Sequence, residues 1–94
     1  MKNDLQIQIS ASAYREIVDT ISSDSCSTAV AICTEIFKEQ LVKLKPSMNK
    51  EAVKQYVSHA QIEFYDLISG FSASTAISCV VDYFNKKLNE AYFF

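Results

Sequence analysis

The sequence predicts a small, mainly α-helical domain of four helices arranged as two similar halves. Apolar residues recur at intervals of three and four over most of the chain, which is the spacing of one buried face of an α-helix. The 94 residues include one glycine and one proline, too few for the frequent turns of an all-β sandwich. The third observation is an internal repeat.

The repeat relates SCSTAVAICTEIFKEQL (25–41) to SASTAISCVVDYFNKKL (72–88), half a chain length later. We interpret it as an internal duplication with halves 1–47 and 48–94, which pack as a pseudo-symmetric pair because one half is too small to bury its own apolar faces. Chance similarity between segments rich in serine and alanine is the alternative. The identical pairs are Met1/Met48, Gln8/Gln55, Ala13/Ala60, Glu16/Glu63, Asp19/Asp66, Ile21/Ile68, Ser22/Ser69, Ser25/Ser72, Ser27/Ser74, Thr28/Thr75, Ala29/Ala76, Phe37/Phe84 and Leu41/Leu88.

The first half begins with LQIQIS (5–10), in which apolar and polar residues alternate. This alternation favours a short strand, although a helix that starts near Asn3 also fits. A first helix is predicted over 12–22, and a second follows a polar turn and runs to about Lys45, before Pro46. Their predicted buried faces consist of Ala13, Ile17, Val18, Ile21, Ala29, Ile32, Cys33, Ile36, Phe37, Leu41 and Leu44.

The second half predicts a third helix that starts at a cap on Ser47 or Asn49 and closes at Gly70. A fourth helix starts at Ser72 or Ser74. Residues 52–57 correspond to the predicted strand, yet their apolar spacing is helical, so the two halves disagree there. The predicted buried faces consist of Ala52, Val53, Tyr56, Val57, Ala60, Phe64, Leu67, Ile68, Ala76, Ile77, Val80, Val81, Phe84 and Leu88.

Composition and short motifs argue against several classes of function. The formal net charge is −2, whereas proteins that bind nucleic acids generally are strongly basic. No apolar run is long enough to span a bilayer and no signal peptide is recognisable, so we expect a cytoplasmic protein without a membrane partner. The three cysteines lack metal-ligand spacing and His59 is the only histidine, so we expect no metal and no cofactor. No catalytic signature occurs, and an enzyme is not expected.

The order of elements resembles the ribbon-helix-helix DNA-binding superfamily. The resemblance depends on LQIQIS, a helix, a serine-containing turn and a second helix, and locally on Gly70-Phe71-Ser72-Ala73-Ser74 followed by residues 76–84. A unit of that family spans about half of this chain. The resemblance therefore implies a single-chain pseudo-dimer, in which two strand-helix-helix units share one short ribbon.

The resemblance also implies a DNA-binding site. It places Gln6, Gln8 and Ser10 in the major groove, where glutamine can bind adenine, with Gln55 as the counterpart of Gln8. It turns the starts of the second helices toward phosphate, although simple N-capping is the alternative role for their hydroxyls. The family normally carries basic ribbon residues, which this chain lacks. The hydroxyl-bearing residues at these helix starts are Ser25, Ser27, Thr28, Ser72, Ser74 and Thr75.

Two functional hypotheses follow, and both allow a homo-oligomer. The first is a small non-enzymatic transcriptional regulator of ribbon-helix-helix type that binds duplex DNA. The second is a helical protein-protein interaction factor, such as a small inhibitor, an antitoxin or a phage-type anti-defence protein. Its predicted partner-binding residues are Tyr92, Phe93 and Phe94, because an apolar chain end is costly when it is fully solvated.

Overall fold

The computed structural model describes residues 7–93, which form four α-helices. Helix α1 spans Ala11–Ser23, α2 spans Cys26–Leu44, α3 spans Lys50–Gly70 and α4 spans Ala73–Phe93. The prediction of a mainly helical protein with four helices is confirmed. Predictions that concern Leu5, Gln6 and Phe94 lie outside the described residues.

A polar residue directly precedes each helix. Side-chain oxygens of Ser10, Ser25 and Asn49 each accept the amide hydrogen three residues ahead, at 3.1, 3.4 and 2.8 Å. Ser72 precedes α4, and its carbonyl accepts the amide of Ala76 at 2.8 Å. These bonds satisfy amide groups that have no partner within the helix, so the capping residues set where the helices begin.

Three phenylalanines form the centre of the core. Phe37, Phe64 and Phe84 come from α2, α3 and α4 and are fully buried. The rings of Phe64 and Phe84 stack with centroids 5.3 Å apart, and Phe37 meets them edge to face at 6.1 and 5.4 Å. Both arrangements are favourable for aromatic rings. The other buried apolar residues are Ala13, Ile17, Ile21, Ala29, Val30, Cys33, Ile36, Leu41, Ala60, Ala76, Val80, Leu88 and Ala91, all predicted except Val30 and Ala91.

The ribbon-helix-helix resemblance is wrong for this chain, because residues 7–93 contain no strand. Residues 52–57, the predicted counterpart of the first strand, lie inside α3. Val53, Tyr56 and Val57 pack against the core as one helical stripe. The helical apolar spacing, which starts directly after the Asn49 cap, therefore outweighs the strand register that the repeat assigned. A duplicated strand-helix-helix unit is not supported.

The helix boundaries nevertheless follow the repeat in part. Helices α1 and α3 end at the equivalent residues Ser23 and Gly70, and α2 and α4 begin at the equivalent residues Cys26 and Ala73. Helix α3 has 21 residues and α1 has 13, so the halves differ at the start of α3. The duplication stays a prediction. Equivalent positions that are both buried are Ala13/Ala60, Ile17/Phe64, Ala29/Ala76, Cys33/Val80, Phe37/Phe84 and Leu41/Leu88.

Residues 7–9, here termed the strap, bind side chains of α4 instead of a partner strand. The Ile7 amide donates to Asn89 Oδ1 at 2.9 Å, and Asn89 Nδ2 donates to the Ile7 carbonyl at 2.8 Å. One helical turn earlier, Asn85 Oδ1 accepts the Ile9 amide at 3.1 Å. The spacings match because two residues of extended chain and four residues of helix each advance about 6–7 Å.

Asn89→Asp is expected to release the strap. A carboxylate can still accept from the Ile7 amide, but it cannot donate to the carbonyls of Ile7 and Asn85, which Asn89 Nδ2 now reaches at 2.8 and 2.7 Å. We expect a loss of about 1–3 kcal/mol in the free energy of unfolding by urea denaturation. Hydrogen exchange at the Ile7 and Ile9 amides should accelerate, while core amides stay protected.

Asn85→Asp is the matched control for this prediction. Within the described residues, the bond from Asn85 to the strap uses only its acceptor oxygen. The carboxylate of Asn85→Asp can therefore still accept the Ile9 amide. The strap amides should then exchange at close to the wild-type rate. Equal acceleration by both substitutions would show that the donor group of Asn89 is not what holds the strap.

Candidate functional site

The residues predicted to contact DNA do not share the outward ribbon face that was expected. Gln8 is exposed on the strap, Ser10 caps α1, and Gln55 lies on α3. Gln8 and Gln55 line different depressions of the surface. A common reading face requires two paired strands, and residues 7–93 supply none.

At the start of α2, and separately at the start of α4, nearby hydroxyl groups form hydrogen bonds with each other. Ser25 Oγ donates to Thr28 Oγ1 at 3.0 Å, and Ser72 Oγ donates to Thr75 Oγ1 at 3.3 Å. Ser25 Oγ also lies 3.4 Å from Ser27 Oγ. At the start of α2, where Ser25 Oγ also accepts the Thr28 amide, this matches the N-capping alternative. The exposed hydroxyl residues within the two first turns are Ser27, Thr28, Ser74 and Thr75.

A groove lies between the second half of α2 and the first half of α3, beside the turn that joins them. This α2–α3 groove has a volume of about 590 Å³. Val42, Val53 and Val57 form its floor; Val42 is 44% exposed, and the other two are half-buried. Val42 directly follows the fully buried Leu41, so the helical rotation places it at the margin of the buried face. The lining residues are Lys38, Val42, Lys45, Pro46, Met48, Lys50, Val53, Lys54, Val57 and Ser58.

Four lysines surround the valine floor. Lys38 comes from α2, Lys45 caps its end, and Lys50 and Lys54 come from the first turns of α3. The whole chain has 9 Lys and Arg residues and a formal net charge of −2, so the groove has the opposite sign to the protein as a whole. Among the described residues, no acidic side chain lines the groove. Within residues 7–93, the ion pair that forms joins Lys87 to Glu90 and involves none of these four lysines.

A second depression, the α3–α4 pocket, adjoins the groove and shares Lys45 and Met48 with it. It has a volume of about 460 Å³, and three of its charged side chains have partners. Lys87 Nζ lies 3.3 Å from Glu90 Oε1, and Lys45 Nζ donates to the Ala91 carbonyl at 3.0 Å. The bond from Lys45, the residue that caps α2, ties the end of α4 to the end of α2. The other lining residues are Ala52, Gln55, Tyr56, His59 and Tyr83.

Both tyrosines of the α3–α4 pocket have perturbed hydroxyl groups. Burial and the nearby carboxylate of Glu90 raise the pKa of Tyr56. Burial, followed by the carboxylates of Glu63 and Glu90, raises the pKa of Tyr83. Both phenols are therefore neutral hydrogen-bonding groups at physiological pH. His59 is the histidine of the described lining, and its side chain is exposed.

Tyr92 and Phe93, two of the predicted partner-binding residues, are exposed at the end of α4. They are 47% and 62% exposed and pack edge to face with ring centroids 4.9 Å apart. They directly follow Ala91, whose carbonyl binds Lys45 of the groove rim. The aromatic pair, the α3–α4 pocket and the α2–α3 groove therefore lie at one end of the bundle, here termed the turn end.

Sequence reasoning did not identify the groove as a site. Its floor combines Val42 of α2 with Val53 and Val57 of α3, and no short motif joins these positions. One signal was present, because five of the nine Lys and Arg residues lie between positions 38 and 54. That clustering predicts a positive surface, but not the apolar floor within it.

No protein-family model matches the chain, and neither the curated proteins nor the solved structures that were searched include a similar one. No residue role is therefore transferred from a relative. The functional proposal depends on the surface of the turn end alone. None of the helices in the described residues is both long enough and apolar enough to cross a membrane.

Proposed function

We propose that the protein is a non-enzymatic factor that acts by binding another protein at its turn end. The observation that carries this proposal is the accessible valine floor of the α2–α3 groove, in which Val42 is 44% exposed. Apolar side chains that face water in a concave surface with a polar rim are typical of interaction sites. The adjoining pair Tyr92 and Phe93 adds aromatic groups, which are enriched in protein interfaces.

This proposal develops the second hypothesis drawn from the sequence, that of a helical inhibitor, antitoxin or anti-defence factor. DNA binding of the ribbon-helix-helix kind is not proposed, since residues 7–93 form no ribbon. We also propose that the protein acts in the cytoplasm. Cys26, Cys33 and Cys79 are all free thiols, which is the ordinary state of cysteine in a reducing compartment.

Val42→Asp is expected to abolish partner binding. The substitution puts a charge on the groove floor, and a docked apolar side chain would have to displace the water around that charge. Tagged wild-type protein purified from its own cells should retain one protein in stoichiometric amount. We expect the Val42→Asp variant to retain about tenfold less of that protein or lower, as for a central interface residue.

Phe71→Asp is the control for this experiment. Phe71 is 52% exposed and caps the opposite end of α3, so its replacement adds the same charge to an exposed apolar residue away from the turn end. It should retain the partner at wild-type levels, with thermal melts confirming that both variants fold. Equal recovery of the partner by both variants, or no stoichiometric partner with the wild type, would contradict the proposed function.

A further inference from the structure

We infer that the occupant of the α2–α3 groove is an amphipathic helix of the partner protein with acidic residues beside its apolar stripe. This inference rests on the proposed function and specifies the chemistry of the partner. It depends on three properties of the groove, namely its length, its apolar floor and the sign of its rim.

The length of the groove suits a short helix. Helix α2 and its cap line the groove from Lys38 to Lys45, and α3 lines it from Lys50 to Ser58. At 1.5 Å per residue these stretches measure about 10–12 Å, or two helical turns. A helix that docks in a groove contacts it through residues at i, i+3 or i+4, and i+7, which is the same two-turn length.

The valine floor and the lysine rim determine which side chains of the occupant would fit the groove. Three valines offer a shallow apolar surface, onto which longer apolar side chains such as leucine can pack. Lys38 and Lys54 flank that surface from the two helices, and their aliphatic stems can extend its walls while the ammonium groups face outward. Glutamate or aspartate on either side of a leucine stripe complements this arrangement.

The lysine side chains set the positive potential at the turn beside the groove. Lys50 is the first residue of α3, and Asn49 caps the helix directly before it. The positive end of the α3 dipole lies at this end of the groove, but the negative end of the α2 dipole lies at the same turn and opposes it. The lysine ammonium groups therefore decide the sign, and no acidic residue among the described lining residues offsets them.

A helix of a protein fits these observations better than a nucleic acid or a membrane. A phosphate backbone would pair with the lysines but leave the valine floor uncovered, and the chain has a formal net charge of −2. A bilayer surface is flat on the scale of a groove of about 590 Å³, so its acyl region would not reach the floor.

Three labelled, helix-stabilised peptides of about 16 residues test the inference by fluorescence anisotropy. The first has a leucine stripe flanked by glutamates, the second replaces every glutamate by glutamine, and the third replaces every leucine by alanine. The first peptide should bind the wild-type protein about tenfold more tightly than either of the others. This preference over the glutamine peptide should shrink as salt is raised, because salt screens exposed charges.

Charge reversal on the protein supplies the second arm. The double variant Lys38→Glu with Lys54→Glu should bind the acidic peptide about tenfold more weakly, since two attractions become repulsions. The double variant Arg15→Glu with Lys86→Glu makes the same change in net charge at exposed positions outside the groove. It should bind the acidic peptide within about twofold of wild type.

Several results would overturn the inference. These are equal binding of the glutamine peptide, no binding of any peptide, or tighter Lys38- and Lys54-dependent binding of duplex DNA or phosphatidylserine vesicles. Concentration-dependent self-association that the charge-reversed variant abolishes would instead assign the groove to a second copy. Such failures are distinct from failure of the proposed function, which is decided by whether Val42→Asp loses its cellular partner.

Discussion

Phe84→Ala is expected to lower the free energy of unfolding by about 3–5 kcal/mol. Phe84 is fully buried, stacks on Phe64 at 5.3 Å and meets the edge of Phe37 at 5.4 Å. Truncation removes both aromatic contacts together with the buried apolar surface of the ring. It also leaves a cavity between α2, α3 and α4 that rigid helices can close only in part.

This loss is large for a domain of this size, since a small domain commonly has only about 5–15 kcal/mol of stability in total. The urea midpoint should therefore fall steeply while the slope of the transition stays the same. Phe71→Ala makes the same chemical change at a residue that is 52% exposed, and should cost about 1 kcal/mol or less. Equal losses from the two substitutions would show that the three-ring cluster is not the centre of the core.

The core could be predicted from sequence because helical burial has a period that a linear pattern displays. Phe37, Phe64 and Phe84 each fall on an apolar stripe with spacing of three and four, and all three are fully buried. Residues 52–57 show which signal is stronger when two conflict. The internal repeat assigned them to a strand, whereas their own apolar spacing and the Asn49 cap assigned them to the helix that forms.

The partner of the strap could not be predicted. The alternation in LQIQIS predicted a short strand, but residues 7–10 form neither a strand nor a helix. The backbone N–H and C=O groups of an extended segment still need hydrogen-bond partners, and a second strand is the usual source of them. Here Asn85 and Asn89 take that role, and they are more than seventy positions away along the chain. Two asparagines one helical turn apart carry no sequence signal for such a bond.

The α2–α3 groove could not be predicted from the sequence, for a different reason. Apolar spacing tells which side of a helix faces the core, but it does not tell how far the margins of that side remain open once two helices pack. Val42 and Val53 lie at such margins, and their exposure depends on how α2 and α3 pack against each other. The lysine cluster was visible in the sequence, yet only the packed helices show that it surrounds an apolar floor.

Alkaline pH is expected to destabilise the protein through Cys33. The side chain is fully buried in α2, and burial raises the pKa of the thiol from 9.0 to about 12. Below the lower value both native and unfolded chains hold the proton, so this group's contribution to stability is constant. Between the two values the unfolded chain releases it and the native chain keeps it. The free energy of unfolding then falls by about 1.4 kcal/mol per pH unit, or about 4 kcal/mol across the whole interval.

Urea denaturation at a series of pH values, with Cys33→Ala beside the wild type, measures this contribution. The variant should be less stable at neutral pH because it leaves a small cavity, but it should lose less stability as the pH rises. Burial also raises the pKa values of Tyr56 and Tyr83, so part of the alkaline loss should persist in the variant. Cys79→Ala keeps the buried thiol and should show the wild-type dependence on pH.

Parallel pH curves for the wild type and Cys33→Ala would show that the buried thiol does not carry the effect. The expected dependence does not require a regulatory role for Cys33. The repeat pairs Cys33 with Val80, which is also fully buried and has no group that titrates. A side chain that only packs therefore serves at the equivalent position. The alkaline sensitivity follows because cysteine fills this core position with an atom that can lose a proton, and the surrounding helices exclude the charge that results.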